Sequence, residues 1–103
     1  MISVNQRKVN NQNAVGATAL FEAVSARNIK RAWTLLKNGA DPNVPENNGI
    51  TPLMEAASGG HLSMVKLLIA NGARKHVQDS FGDTALDYAE NGNFKKVAAY
   101  LKS

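Results

Sequence analysis

Residues 51–73 read TPLMEAASGGHLSMVKLLIANGA, and their punctuation decides the fold. Thr51 followed by Pro52 and an apolar run has the form of a helix N-cap with a favourable first residue. The spacing predicts a short helix over residues 52–58, which Gly59-Gly60 breaks and turns. Leu62, Val65, Leu68 and Ile69 then recur at helical spacing. Gly72 stands where a helix C-terminus favours a left-handed residue.

The same punctuation extends outward in both directions. The pattern G-x-T-[AP]-L begins at Gly16, Gly49 and Gly82, each 33 residues after the last. Asn38-Gly39-Ala40 and Asn71-Gly72-Ala73 repeat at the same interval. The 33-residue windows from Gly16 and Gly49 match at 11 positions, among them Glu22/Glu55, Ala23/Ala56 and Leu35/Leu68. A fixed period of this length means stacked supersecondary units. Thr18, Thr51 and Thr84 predict first helices over residues 19–26, 52–58 and 85–90. Apolar residues at Ile29, Ala32, Leu35 and Leu36, and at Phe94, Val97 and Leu101, predict second helices beside the one at Leu62–Ile69. The third unit reads as one residue shorter at its inter-helix turn and stops after its second helix. Residues 41–48 and 74–81 are polar connectors. The organisation expected is an N-terminal segment over 1–15, units over 16–48 and 49–81, and a truncated capping unit over 82–103.

Composition agrees with thin layers. The chain has 103 residues, room for one domain, and only 3 Phe, 2 Tyr and 1 Trp. It has no cysteine, which excludes disulfides and thiolate metal sites. No run approaches the roughly 18 apolar residues of a membrane span. Residues 1–15 lack the apolar stretch of a signal peptide, so a cytoplasmic location is expected, or a periplasmic or secreted one if Met1 was added to a processed chain.

A unit of turn, helix, turn and helix with these residues resembles the ankyrin repeat. The likeness is densest in TPLMEAASGGHLSMVKLLIANGA. It is looser in TALFEAVSARNIKRAWTLLKNGADPN, and it continues in TALDYAENGNFKKVAAYLKS; together they cover residues 16–103. The resemblance implies an all-α solenoid of helix-turn-helix units with β-turn fingers, two full repeats and a C-terminal capping pair. Residues 8–15 fall where a first finger would lie. It also implies protein binding through finger tips and the groove side of the first helices, with no catalytic activity to transfer.

That surface maps onto Val15, Ala17, Phe21, Glu22, Asn48, Ile50, Met54, Glu55, Phe81, Asp83, Asp87 and Tyr88. Val15, Ile50 and Phe81 are apolar at tip positions, where they either anchor a partner or fold back on the neighbouring finger. Trp33 stands on the second helix where the family usually has a polar residue. Packing in an irregular N-terminal layer is the reading preferred over an outer-face anchor. Acids gather on fingers and first helices, and Lys and Arg on second helices. The formal charge of +4 therefore conceals an acidic groove and a basic back, although solvated helix faces would give the same pattern.

Chemistry-bearing constellations are sparse. His61 and His76 share no metal-ligand spacing, and Ser25, Ser58 and Ser63 lie in no nucleophile elbow. Asp79, Asp83 and Asp87 do not follow a calcium-loop pattern. No enzyme, cofactor or metal is expected. The pI of about 9.6 admits nucleic acid as a remote alternative through the basic outer face. The function expected is a non-catalytic module, monomeric when unbound, that occludes or inhibits a protein partner. That partner would be an enzyme with a basic or apolar contact surface, as in an immunity role. An assembly adaptor joining two proteins is the alternative, and no membrane partner is expected.

Overall fold

The computed structural model describes residues 10–103; residues 1–9, which hold part of the expected N-terminal segment and finger, lie outside them. Six helices follow in order: α1 (Ala19–Ser25), α2 (Ile29–Lys37), α3 (Pro52–Ser58), α4 (Leu62–Ala70), α5 (Ala85–Asn91) and α6 (Lys95–Lys102). No strand occurs among the described residues, and no helix is long and apolar enough to cross a membrane.

Each first helix starts on a threonine. The Oγ1 atoms of Thr18, Thr51 and Thr84 accept from the backbone N–H of Phe21, Met54 and Asp87 at 3.1, 3.2 and 3.3 Å. The reverse bond depends on the residue three places on. The Asp87 carboxylate accepts from Thr84 N–H at 2.9 Å and the Met54 sulfur accepts from Thr51 N–H at 3.4 Å, closing capping boxes that Phe21 has no acceptor to form. The first helices end on Ala26, Gly59 and Gly92 as C-caps, so α1 stops one residue short of the expected span and α5 runs one residue past it.

The inter-helix turns correct one reading of the sequence. The third turn is as long as the others, because Arg27, Gly60 and Asn93, spaced by 33, all take left-handed backbone with φ of 59°, 67° and 61°. Asparagine enters that region at small cost, so Gly92-Asn93 performs the turn that Gly59-Gly60 performs. The second helices close alike. Gly39 N–H donates to Leu36 O, and Ala40 N–H to Leu35 O; Gly72 and Ala73 repeat this on Ile69 and Leu68. This pair of hydrogen bonds satisfies carbonyls that the helix end would otherwise strand.

The helix pairs stack in one direction. α1 lies on α3 and α3 on α5, with the second helices α2, α4 and α6 more loosely in contact behind them. Ala23, Ala56, Ala57 and Ala89 are buried on the first helices, and their small side chains allow the close approach. Leu20, Leu53, Met64, Val65, Leu68 and Val97 are wholly buried between the layers. Each contributes about 1.5–3 kcal/mol of transfer free energy. At the C-terminal end, Glu90 replaces the buried Ala57 and Lys102 replaces the half-buried Ile69. The pair joins at 3.4 Å and gives the last layer a polar outer side.

Phe94 fills the space over the second and third inter-helix turns. A Cβ built on Gly60 would stand 2.4 Å from its ring, whereas one on Gly72 meets nothing within 4 Å. Both glycines have positive φ, so both substitutions strain the backbone. Gly60→Ala is expected to cost about 1–3 kcal/mol more than Gly72→Ala, because only the former also overpacks an aromatic contact. Paired urea melts measure the difference, and equal costs would show that Phe94 yields freely.

Candidate functional site

The finger tips are turns built around one side chain. Asn13, Glu46 and Asp79 stand three residues before each repeat glycine, and their backbone N–H groups donate to the carbonyls of Ala17, Ile50 and Asp83 at 2.9 Å. Their side-chain oxygens also gather the N–H groups two and four residues on. Asn13 Oδ1 accepts from Val15 and Ala17 at 3.0 and 2.9 Å. Asp79 Oδ1 accepts from Phe81 and Asp83, both at 2.9 Å, and Glu46 Oε1 accepts from Asn48 and Ile50. Fingers are tied to each other by Asn47 N–H to Val15 O at 3.0 Å and Ser80 N–H to Asn48 O at 2.9 Å. Two asparagines add one-repeat links, Asn10 Oδ1 accepting from Asp41 N–H and Asn43 Oδ1 from Arg74 N–H, each at 2.9 Å. Val15, Asn48 and Phe81 are thus equivalent tip residues on a fixed backbone.

Two of these side chains also bond to the first helices. Asn13 Nδ2 donates to Glu22 at 2.9 Å, and the Tyr88 hydroxyl donates to Asp79 Oδ2 in a short bond. The Asp79 bond is the first cause that pushes the Tyr88 phenol up to about 12, with burial second. Burial alone would raise the Asp79 carboxyl, but hydrogen bonds from Tyr88 and from the Asp83 and Phe81 backbone outweigh it and hold it below the usual carboxylate range. In the middle unit the equivalent residues are Glu46 and Glu55, two carboxylates with no donor between them.

The expected surface residues divide sharply. Phe81 is 72% exposed and Val15 58%, while Glu22 and Asn48 are also exposed. Phe21, Glu55, Asp83, Asp87 and Tyr88 are half-buried; Asp87 is engaged as a cap and Tyr88 on Asp79. Met54 and Ala17 do not reach the surface. Met54 is 1% exposed because its sulfur folds back onto Thr51 and the layer above covers it, and Ala17 is buried behind the finger turn. Ile50 packs against the core and does not project as an anchor. Trp33 overturns its preferred packing reading: it is 51% exposed on α2, with the Lys37 ammonium 5.1 Å from its ring centre. Asn13, Glu46 and Asp79 were missed as tip-setting residues. Their recurrence three places before each glycine was the available signal.

Charge is segregated by element. The second helices carry Lys30, Arg31, Lys37, Lys66, Lys95, Lys96 and Lys102 and no acid. Fingers and first helices carry Glu22, Glu46, Glu55, Asp79, Asp83, Asp87 and Glu90. At the floor between the first two units, Arg27 Nη1 donates to Gly59 O at 2.9 Å beside His61. His61 Nδ1 is buried without a hydrogen-bond partner. Burial first, and the Arg27 charge second, hold its imidazole below the ordinary value of 6.5.

Two substitutions test these environments. Asp79→Asn leaves Oδ1 to build the turn, as Asn13 does. It is expected to return the Tyr88 phenol toward its ordinary value in an ultraviolet titration. It should also flatten the acid limb of stability, because a depressed carboxyl loses its stabilising effect as pH falls below about 4. For His61 the sign is the same with a different window. The unfolded chain takes up the proton first, so stability is level above 6.5 and falls as pH drops from there toward the folded-state value. His61→Asn removes that slope. It also supplies the cap that Asn28 gives Arg31 at 3.0 Å and His61 lacks, for an expected gain of about 0.5–1 kcal/mol in thermal or urea melts.

Comparison with known proteins agrees with this geometry. The family model described as "Ankyrin repeats (many copies)" matches residues 35–89, and the one described as "Ankyrin repeat" matches residues 15–47. No curated protein matched the chain. Stacked repeats of this family form protein-protein interaction modules. Over half its length the chain carries the family's pattern, and it belongs to the ankyrin-repeat family.

Proposed function

We propose that the protein binds a partner protein through its finger tips and groove, and inhibits it by covering a functional surface, with an enzyme as the partner. The observation that supports this reading most is Phe81. Its aromatic ring is 72% exposed, yet its backbone is held by Asp79 Oδ1 at 2.9 Å. Binding such a tip orders little that is not already ordered, so more of the contact energy appears as affinity. Aromatic side chains, Phe among them, are enriched at the cores of protein interfaces.

The groove supplies the charge preference. Glu46 and Glu55 stand where neighbouring units pair a donor with an acceptor, and a partner's Lys or Arg would meet both with charge-assisted hydrogen bonds. Glu22 and Asp83 extend the same acidic character on either side. A basic, partly apolar partner surface fits this face, and long-range attraction speeds its arrival at low salt.

Affinity capture with the wild-type chain, followed by titration of the captured protein, tests the reading. Phe81→Glu and the pair Glu22→Lys with Glu55→Lys are expected to keep the melting curve and to lose tenfold or more in affinity. Unchanged affinity in both variants would place the contact elsewhere. If the partner is an enzyme, one equivalent should suppress its activity; full activity at saturation would refute inhibition.

A further inference from the structure

A second surface lies opposite the groove. On α2, Ile29, Trp33 and Lys37 follow one another at four-residue intervals and so form one row about 12 Å long. Ile29 is 39% exposed and Trp33 51%. They stand apart from the exposed apolar tips Val15 and Phe81, which belong to the fingers. Lys30 and Arg31 flank the row, and the outer helices α4 and α6 continue the basic field with Lys66, Lys95 and Lys96. Neither stacking nor the finger bonds use Trp33. The equivalent positions hold Lys66 and Ala99, both exposed.

We infer that the outer face of α2 is a docking surface for an acidic amphipathic helix of a partner protein, distinct from the groove site. A row of side chains at four-residue spacing is a ridge, and ridges of this kind seat in the groove of another helix. Seven basic side chains and no acid on the outer helices select a helix whose apolar stripe is bordered by Glu or Asp. The ridge is one side chain wide, and Lys37 already covers a face of Trp33, which disfavours a lipid surface that rewards a broad apolar face. Single-stranded RNA needs several open aromatic platforms, and here Trp33 is the one large aromatic exposed on the outer helices, because Tyr100 packs against the core.

Trp33 is the chain's single tryptophan, so its fluorescence reports this face alone. The probe is a synthetic Leu/Glu peptide of about 18 residues, long enough to form a helix on binding, with Leu at helical spacing and Glu on either side. A blue shift of the Trp33 emission and protection from iodide quenching are expected, both weakened by added salt. Lys30→Glu with Lys37→Glu, and Trp33→Ala followed by peptide anisotropy, should each weaken binding tenfold or more at an unchanged melting temperature. Phe81→Glu should leave it intact, which separates this surface from the groove reading. The proposal is overturned by an unshifted emission or by equal affinity in the charge-reversed variant. It is also overturned by an equal response to a Glu peptide without Leu, or by a stronger response to phosphatidylserine vesicles or poly(U) RNA.

Discussion

The close approach of α1, α3 and α5 through Ala23, Ala56, Ala57 and Ala89 is the constraint on which the other features depend. Methyl groups at the contact let the first helices approach more closely than the bulkier second helices behind them. The stack therefore keeps its fingers within backbone hydrogen-bonding reach of one another. Asn47 then finds Val15, and Ser80 finds Asn48, with one such bond per layer. Side chains such as Asn43, whose Oδ1 accepts from Arg74 N–H and whose Nδ2 donates to Gly72 O at 3.0 Å, bind the same layers on the connector side. A layer that slid by one residue would forfeit these bonds together, which holds the 33-residue register.

Within each layer, local chemistry and packing agree, the condition under which a sequence specifies one structure. Thr18, Thr51 and Thr84 both cap and mark the start of a helix. Gly39 and Gly72 both end one and free the next carbonyls to be satisfied. Such residues act on neighbours a few positions away, which is why the helix order and the repeat were legible in the sequence. The third turn was misjudged because asparagine at 93 adopts the backbone that glycine adopts at 60. A compositional difference concealed a conformational identity.

The candidate site was less legible, and the reason is physical. Periodicity tells which side of a helix is apolar but leaves open which neighbouring layer covers it. Met54 occupies a position that looks outward along its own helix, yet the layer stacked above it and its sulfur contact with Thr51 bury it. Trp33 invites the opposite error. Packing in an irregular N-terminal layer was the reading preferred, but α2 turns Ala32 and Leu36 into the core and leaves Trp33 51% exposed. Burial in a stack is a property of pairs of units, and a single unit's pattern carries only half of it.

The division of labour on the finger side follows from the same economy. Asn13, Glu46 and Asp79 are consumed in building turns, and Met54 and Asp87 in closing caps, so their chemistry is fixed by the fold. Val15, Asn48 and Phe81 donate backbone N–H groups to those turns while their side chains stay free. A change of residue at these three tips alters what the surface offers without altering where it offers it. Val, Asn and Phe already occupy one geometry. Under the proposed function, recognition is written at positions whose backbone is held by another residue, and Phe81, the most exposed large apolar side chain among them, offers the largest apolar surface.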